Sequence, residues 1–165
     1  MLVAEAAFVL IVLAAAVSDL VSYRIPNVLV LALIGAFIVW GAIHYKETAW
    51  LSHFGAAFLC LVGGFTLYQF GQMGAGDVKL LTAVALWTGL SGLIPLLLFM
   101  SLSGLFALPL ILLARAFVAR AQANNRWKPE WPVPRVLTKK QGVPYGVAIA
   151  LGAIVAMVIR PLTIG

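Results

Sequence analysis

Residues 78–114 read VKLLTAVALWTGLSGLIPLLLFMSLSGLFALPLILLA, 37 positions with a single charge, Lys79. One helix needs about 20 mostly apolar residues to cross a bilayer. The stretch is too long for one crossing and suits two, with Gly89, Ser91, Gly92 and Pro95 marking the turn between them. Four more apolar runs flank it: Leu2 to Ser18, Val28 to Ile43, Leu51 to Phe70 and Val143 to Ile159. The expected fold is therefore all-α, a polytopic membrane protein of six transmembrane helices forming one domain over residues 1–165. Composition agrees. Of the 165 residues, 64% are hydrophobic and 10% charged, and the mean hydropathy is +1.09. Soluble domains run at roughly 45–50% and about 25%. Disordered chains are poor in apolar residues, so that class is excluded as well. The first run lacks the basic start of a cleavable signal and has Glu5 in its place.

Eleven Lys and Arg face five Asp and Glu. In a membrane protein such an excess reports topology, because basic residues mark cytoplasmic loops. An N-terminus outside puts Arg24, Lys79, Arg115, Arg120, Arg126, Lys128, Arg135, Lys139 and Lys140 inside, against Lys46 and Arg160 outside. The expected cytoplasmic loop at about 115–142 holds seven of these basic residues with Trp127 and Trp131. That pattern suits anionic lipid and interfacial anchoring rather than nucleic acid. A lid or a contact with secretion machinery is the alternative for this loop. Pro129, Pro132 and Pro134 argue against a continuous helix there. Cys60 stands alone, so neither an intrachain disulfide nor a cysteine zinc site is expected.

With five acids in the chain, their positions carry information. Asp19 and Asp77 both fall at inner helix ends, 58 residues apart in sequence. Asp19 sits at a helix C-terminus, where a carboxylate is disfavoured. An acid near hydrocarbon is by default a candidate functional group. Taken singly, Asp19 also fits an interfacial acid paired with Arg24, and Asp77 fits a helix N-cap. Taken together, two carboxyl groups sharing a site do not both ionise easily, so one keeps its proton. One then serves as general base on a water and the other as general acid. This chemistry calls for no metal and no cofactor.

The ordered set Asp19-Leu20-Val21-Ser22-Tyr23-Arg24-Ile25-Pro26-Asn27 and Gly74-Ala75-Gly76-Asp77-Val78-Lys79-Leu80 resembles the two signatures of prepilin peptidases. These are the bacterial members of the GxGD membrane aspartyl proteases. Val143-Pro144-Tyr145-Gly146 is similar to a proline-containing element that opens a late helix in that family. The resemblance covers the chain from Asp19 to the last span. It implies an aspartic endopeptidase of the bacterial cytoplasmic (inner) membrane that cuts the basic leader from type IV pilin-like precursors, after a glycine, at the cytoplasmic face. The implied catalytic pair is Asp19 and Asp77, and the implied partner is a prepilin or pseudopilin. Paired Cys-x-x-Cys motifs and the methyltransferase insertion of the larger members are missing, so the compact chain resembles the peptidases of tight-adherence (Flp) systems. The alternative within the resemblance is a relative of the archaeal preflagellin peptidases.

Around the pair, Gly74 and Gly76 read as active-site backbone, since glycine adopts shapes other residues resist. Lys79 reads either as a snorkelling lysine or as a charge acting on the acids or on the substrate. Arg24 reads as a phosphate-level anchor or as the cation that keeps Asp19 ionised. Pro26 breaks the chain between the first two helices, and Asn27 is placed to cap the second. His44 and His53 are expected at the outer interface. Two other classes compete: a small proton-coupled transporter, which predicts midplane acids and repeat symmetry, and a non-catalytic secretion-system subunit, which tolerates loss of both aspartates.

Overall fold

A computed structural model describes residues 2–124 and 145–159, and all five elements within them are α-helices. They are α1 (Leu2–Ser22), α2 (Asn27–Ile43), α3 (Trp50–Gln69), α4 (Ala75–Ala123) and α5 (Tyr145–Ile159). The stretch expected to hold two spans lies in one hydrogen-bonded element, α4, which is broken at Gly89 (φ 66°, ψ −177°). Gly89 is the residue that makes the break, because a positive φ costs glycine nothing. The hydroxyl of Ser52 accepts the freed N–H of Leu90 at 2.9 Å.

Packing shows that the chain reverses at this break. A Cβ on Gly152 would lie 2.6 Å from the carbonyl oxygen of Leu96 and 2.8 Å from the nitrogen of Met100. Gly152 is six residues, about 9 Å of helix, beyond Gly146. Gly146 in turn contacts Asp19, near the start of α4. A straight α4 would carry Leu96 and Met100 about 32 Å and about 38 Å from its start. They come back to this level only if residues 90–123 run antiparallel to residues 75–88.

The remaining contacts give each helix a direction. Val78 packs on Gly64, and Leu90 packs on Gly55, so α3 is antiparallel to the first arm of α4. Lys79 meets Asn27 at one end of α2, and Trp50 meets Gly41 at the other. One end of the bundle therefore collects the end of α1, the starts of α2, α4 and α5, and the end of α3. The opposite end holds an aromatic cluster in which Phe37 packs on Trp40, Trp50, His53 and Trp87. His53 belongs to this core and not to the interface: it is 2% exposed, and its Nδ1 bonds the carbonyl of Leu86 at 2.8 Å. Trp87 donates its indole N–H to the carbonyl of Leu33 at 2.9 Å, tying the cluster to α2.

The outward faces are apolar. Leu10, Leu31, Phe58, Phe65, Ile94 and Phe106 are all exposed, a surface far larger than the apolar patches that soluble monomers carry. α1, α3 and α4 are long and apolar enough to cross a membrane, and α2 and α5 are shorter apolar helices. Residues 115–123, expected in the large loop, are helical and end α4 at Ala123. The rest of that loop, with Trp127, Trp131 and its prolines, lies outside the described residues.

Candidate active site

The site is built where α1 stops. Tyr23 takes φ 52° and donates its N–H to the carbonyl of Asp19 at 2.9 Å, closing the helix with a left-handed cap. Ser18 donates its hydroxyl to the carbonyl of Arg24 at 2.8 Å, and Ser22 donates to that of Ser18 at 2.7 Å. Pro26, extended at ψ 134°, then starts α2. The turn is thus fixed from both sides, and Asp19 sits one helical turn before it.

Asp19 is 5% exposed. Its Oδ2 accepts the N–H of Gly146 at 2.8 Å, across 127 residues of sequence. Gly146 is the second residue of α5, so the carboxylate meets the positive end of that helix and one of its unpaired amides. The disfavoured location at the C-terminus of α1 is offset by the N-terminus of α5. The contact leaves no space for a side chain: a Cβ on Gly146 would be 2.7 Å from Asp19 Oδ2 and 2.9 Å from its Cβ.

Asp77 is the third residue of α4 and half-buried. Its Oδ2 accepts the N–H of Gly74 at 3.2 Å, so it caps the helix from inside the first turn rather than from the N-cap, which is Gly74. Gly74 has φ −75° and ψ 149°, a conformation open to any residue. A Cβ there would lie 2.9 Å from Asp77 Oδ2, so a side chain at this position would push the Asp77 carboxylate aside. At Gly76 a Cβ would meet Ile25 Cβ at 3.4 Å, an ordinary van der Waals contact, so α4 packs against the Ile-Pro-Asn turn there. Neither glycine has a positive φ, so unusual backbone shape is not what they supply.

Asp19 and Asp77 line one cavity of about 630 Å³, together with the 22–27 turn, the 74–76 segment and Lys79. That volume is within the range of ordinary ligand sites. Each carboxyl group spends one oxygen on a backbone N–H. Among the described residues the other oxygen of each has no hydrogen-bond partner. Lys79 donates to Asn27 Oδ1 at 3.2 Å, which ties the start of α4 to the start of α2. Asn27 therefore serves as the lysine's acceptor and makes no side-chain cap on α2. Arg24 is exposed at the cavity, and no ion pair joins it to Asp19 among the described residues. Its backbone carbonyl, not its guanidinium, holds the turn. Among the described residues no three His, Cys, Asp or Glu side chains gather as a metal site would require.

Sequence reasoning brought together Asp19, Asp77, Gly74, Gly76, Lys79 and Arg24, and all six line this cavity. Tyr23, which also lines it, was missed, since nothing in the sequence marks a tyrosine in a left-handed cap. Gly146 stood in a quoted motif without a role; the structure gives it one as the donor to Asp19.

A bundle of apolar helices with two carboxyl groups lining one cavity at its end defines a class: a membrane protein with an acidic cavity. The sequence pattern of the type IV leader peptidase family matches residues 6–118, more than half of the chain, and the protein belongs to that family. It is a membrane peptidase of prepilin-type leaders. No curated protein and no solved structure matches the chain. The family match includes both aspartates and ends before α5.

Proposed function

We propose that the protein is an aspartic endopeptidase that removes the leader of a type IV or Flp-like prepilin at the cytoplasmic face of the inner membrane, with Asp19 and Asp77 as the catalytic pair. The observation that carries this reading is the shared cavity, in which two acids 58 residues apart each keep one carboxyl oxygen unspent. The pair activates one water between them. One carboxylate takes a proton from the water as it attacks the scissile carbonyl. The other, protonated, donates to that carbonyl oxygen and supports the tetrahedral intermediate. Collapse then returns a proton to the leaving amine. The assignment of base and acid belongs to the pair as a unit. Gly146 and Gly74 hold the carboxyl groups in place through their N–H bonds, which is positioning rather than chemistry. A proton-coupled transporter fits less well, because both acids lie at one end of the bundle and not at its middle.

The test is co-expression of an Flp-type prepilin with wild type, Asp19→Asn and Asp77→Asn, followed by sequencing of the new pilin N-terminus. The expected result is a cut after the leader glycine by wild type. Each variant should lose at least roughly a thousandfold in rate, as for removal of a catalytic group that acts within a unit. Variants that cut as fast as wild type would reduce the acid pair to a structural feature.

A further inference from the structure

The first arm of α4 is the central helix of the bundle. From Val78 to Gly89 every residue is buried except Lys79 and Thr82. With the exposed Ala75, these positions fall at i, i+4 and i+7, a single stripe of the helix. The stripe has a definite place among the neighbours. Val78 packs on Gly64 of α3, and Lys79 donates to Asn27 of α2. At about 100° per residue, Ala75 and Thr82 lie between those two directions. The uncovered stripe therefore faces the space between α2 and α3.

Consecutive helices commonly pack on each other. These two stand apart: among the described residues, no Cα of α2 lies within 8 Å of a Cα of α3. Their ring contacts lie at the end away from the acids, where Phe37 is 6.0 Å from Trp50 and 5.2 Å from His53 between centroids. The result is a wedge, closed by aromatic rings at one end and open toward the cavity at the other. Its floor runs into the cavity without a break, since Asn27, Ala75 and Lys79 also line that cavity. Its walls are apolar. Leu31 and Ile38 follow Asn27 at i+4 and i+11 on one flank of α2, and Phe54 and Leu61 follow Trp50 at the same spacings on one flank of α3. All four are exposed.

A wedge open to hydrocarbon along its side and to the acid pair at its end suits an apolar α-helix that is already in the bilayer. A lipid held there would stand between the acids and any substrate arriving from the membrane. We propose that the wedge between α2 and α3 docks the apolar membrane helix of the substrate, so that the peptide bond at the end of that helix comes to Asp19 and Asp77. The inference rests on the peptidase reading above and deepens it: the enzyme recognises a membrane helix as well as the residues at the cut. A second apolar hollow, along Ile94, Leu98, Ser101 and Leu105 of the second arm of α4, shares no residue with the cavity and serves as the control.

The experiment is photocrosslinking in membranes. A benzophenone amino acid replaces Leu31, Leu61 or Ile94, one at a time, in the full-length Asp77→Asn protein, which leaves the substrate uncut, and an Flp-type prepilin is co-expressed. Thermal midpoints equal to the parent's show that all three proteins fold. The expected result is a prepilin adduct at Leu31 and at Leu61 at least roughly tenfold stronger than at Ile94, as for a helix with one preferred seat. Mass spectrometry should place the adduct in the apolar segment of the prepilin. Adducts as strong at Ile94 as in the wedge overturn the inference, and so do wedge adducts that hold only lipid or the enzyme's own chain. In either case cleavage of the same prepilin by wild type leaves the peptidase reading intact. Wild type that leaves the prepilin whole overturns both.

Discussion

At the scale of single residues, two glycines of α5 look alike in sequence and do different work. Gly146 abuts Asp19, one of the two acids proposed as the catalytic pair. Gly152 abuts the backbone of α4, at the oxygen of Leu96 and the nitrogen of Met100. Gly146→Ala therefore forces Asp19 to move, while the helix gains a better helix former. The expected outcome is a folded protein whose kcat falls by roughly a hundredfold, the scale set by displacing a reacting group by about 1 Å. Gly152→Ala forces two helices apart and should lower the thermal midpoint, with cleavage per folded molecule close to wild type. Rate and midpoint measured on both variants check the pair. A Gly146→Ala enzyme at full rate would show that the Asp19 contact to α5 is not needed for catalysis. Neither role is legible in a stretch that reads only as apolar and small. The acids were legible because charge is scarce in this chain, and the left-handed cap at Tyr23 was not, because nothing in the sequence marks it.

At the scale of elements, the break in α4 decides whether the bundle forms. Gly89 needs φ 66°, and a Cβ there would sit 3.1 Å from Ser52 Oγ, the atom that accepts the Leu90 N–H. Ser52→Ala removes that acceptor and should cost about 1 kcal/mol. Gly89→Ala adds backbone strain and crowding, and should cost more. Gly89 is about 18 Å of helix from Asp77, so cleavage per folded molecule should hold in both. Thermal midpoints and specific activities in one detergent give the comparison, and a loss of specific activity without a loss of midpoint would contradict it. Gly89 was readable as a turn because glycine and proline punctuate an apolar run too long for one crossing. The end of α4 was not. Arg115 and Arg120 read as loop by charge, yet the helix runs on to Ala123, because charge reports solvent contact and leaves backbone shape open. Hydropathy found where the other helices lie. It was blind to the N-terminus of α5 reaching Asp19, since a contact across 127 residues leaves no local pattern.

At the scale of the whole molecule, the distribution of charge predicts which way the cavity faces. The cavity end carries Arg24 and Lys79, and the turn at the opposite end carries Lys46 beside Glu47. Residues 90–123 span about 51 Å as helix against about 21 Å for residues 75–88. The second arm is thus long enough to take Arg115 and Arg120 past the level of the cavity. The positive-inside rule predicts that this end is cytoplasmic, the face at which the proposed function needs the leader to be cut. The prediction is tested with single cysteines in a Cys60→Ala background, since Cys60 is the chain's one native thiol and is buried. Lys46→Cys and Gln72→Cys place exposed thiols at opposite ends. An impermeant maleimide applied to spheroplasts should label Lys46→Cys at once and Gln72→Cys only after the membrane is opened. The reverse pattern would turn the aspartates toward the outside. A pilin leader is not available there for cutting, so the proposed substrate would fall even if the acid pair and its chemistry stood.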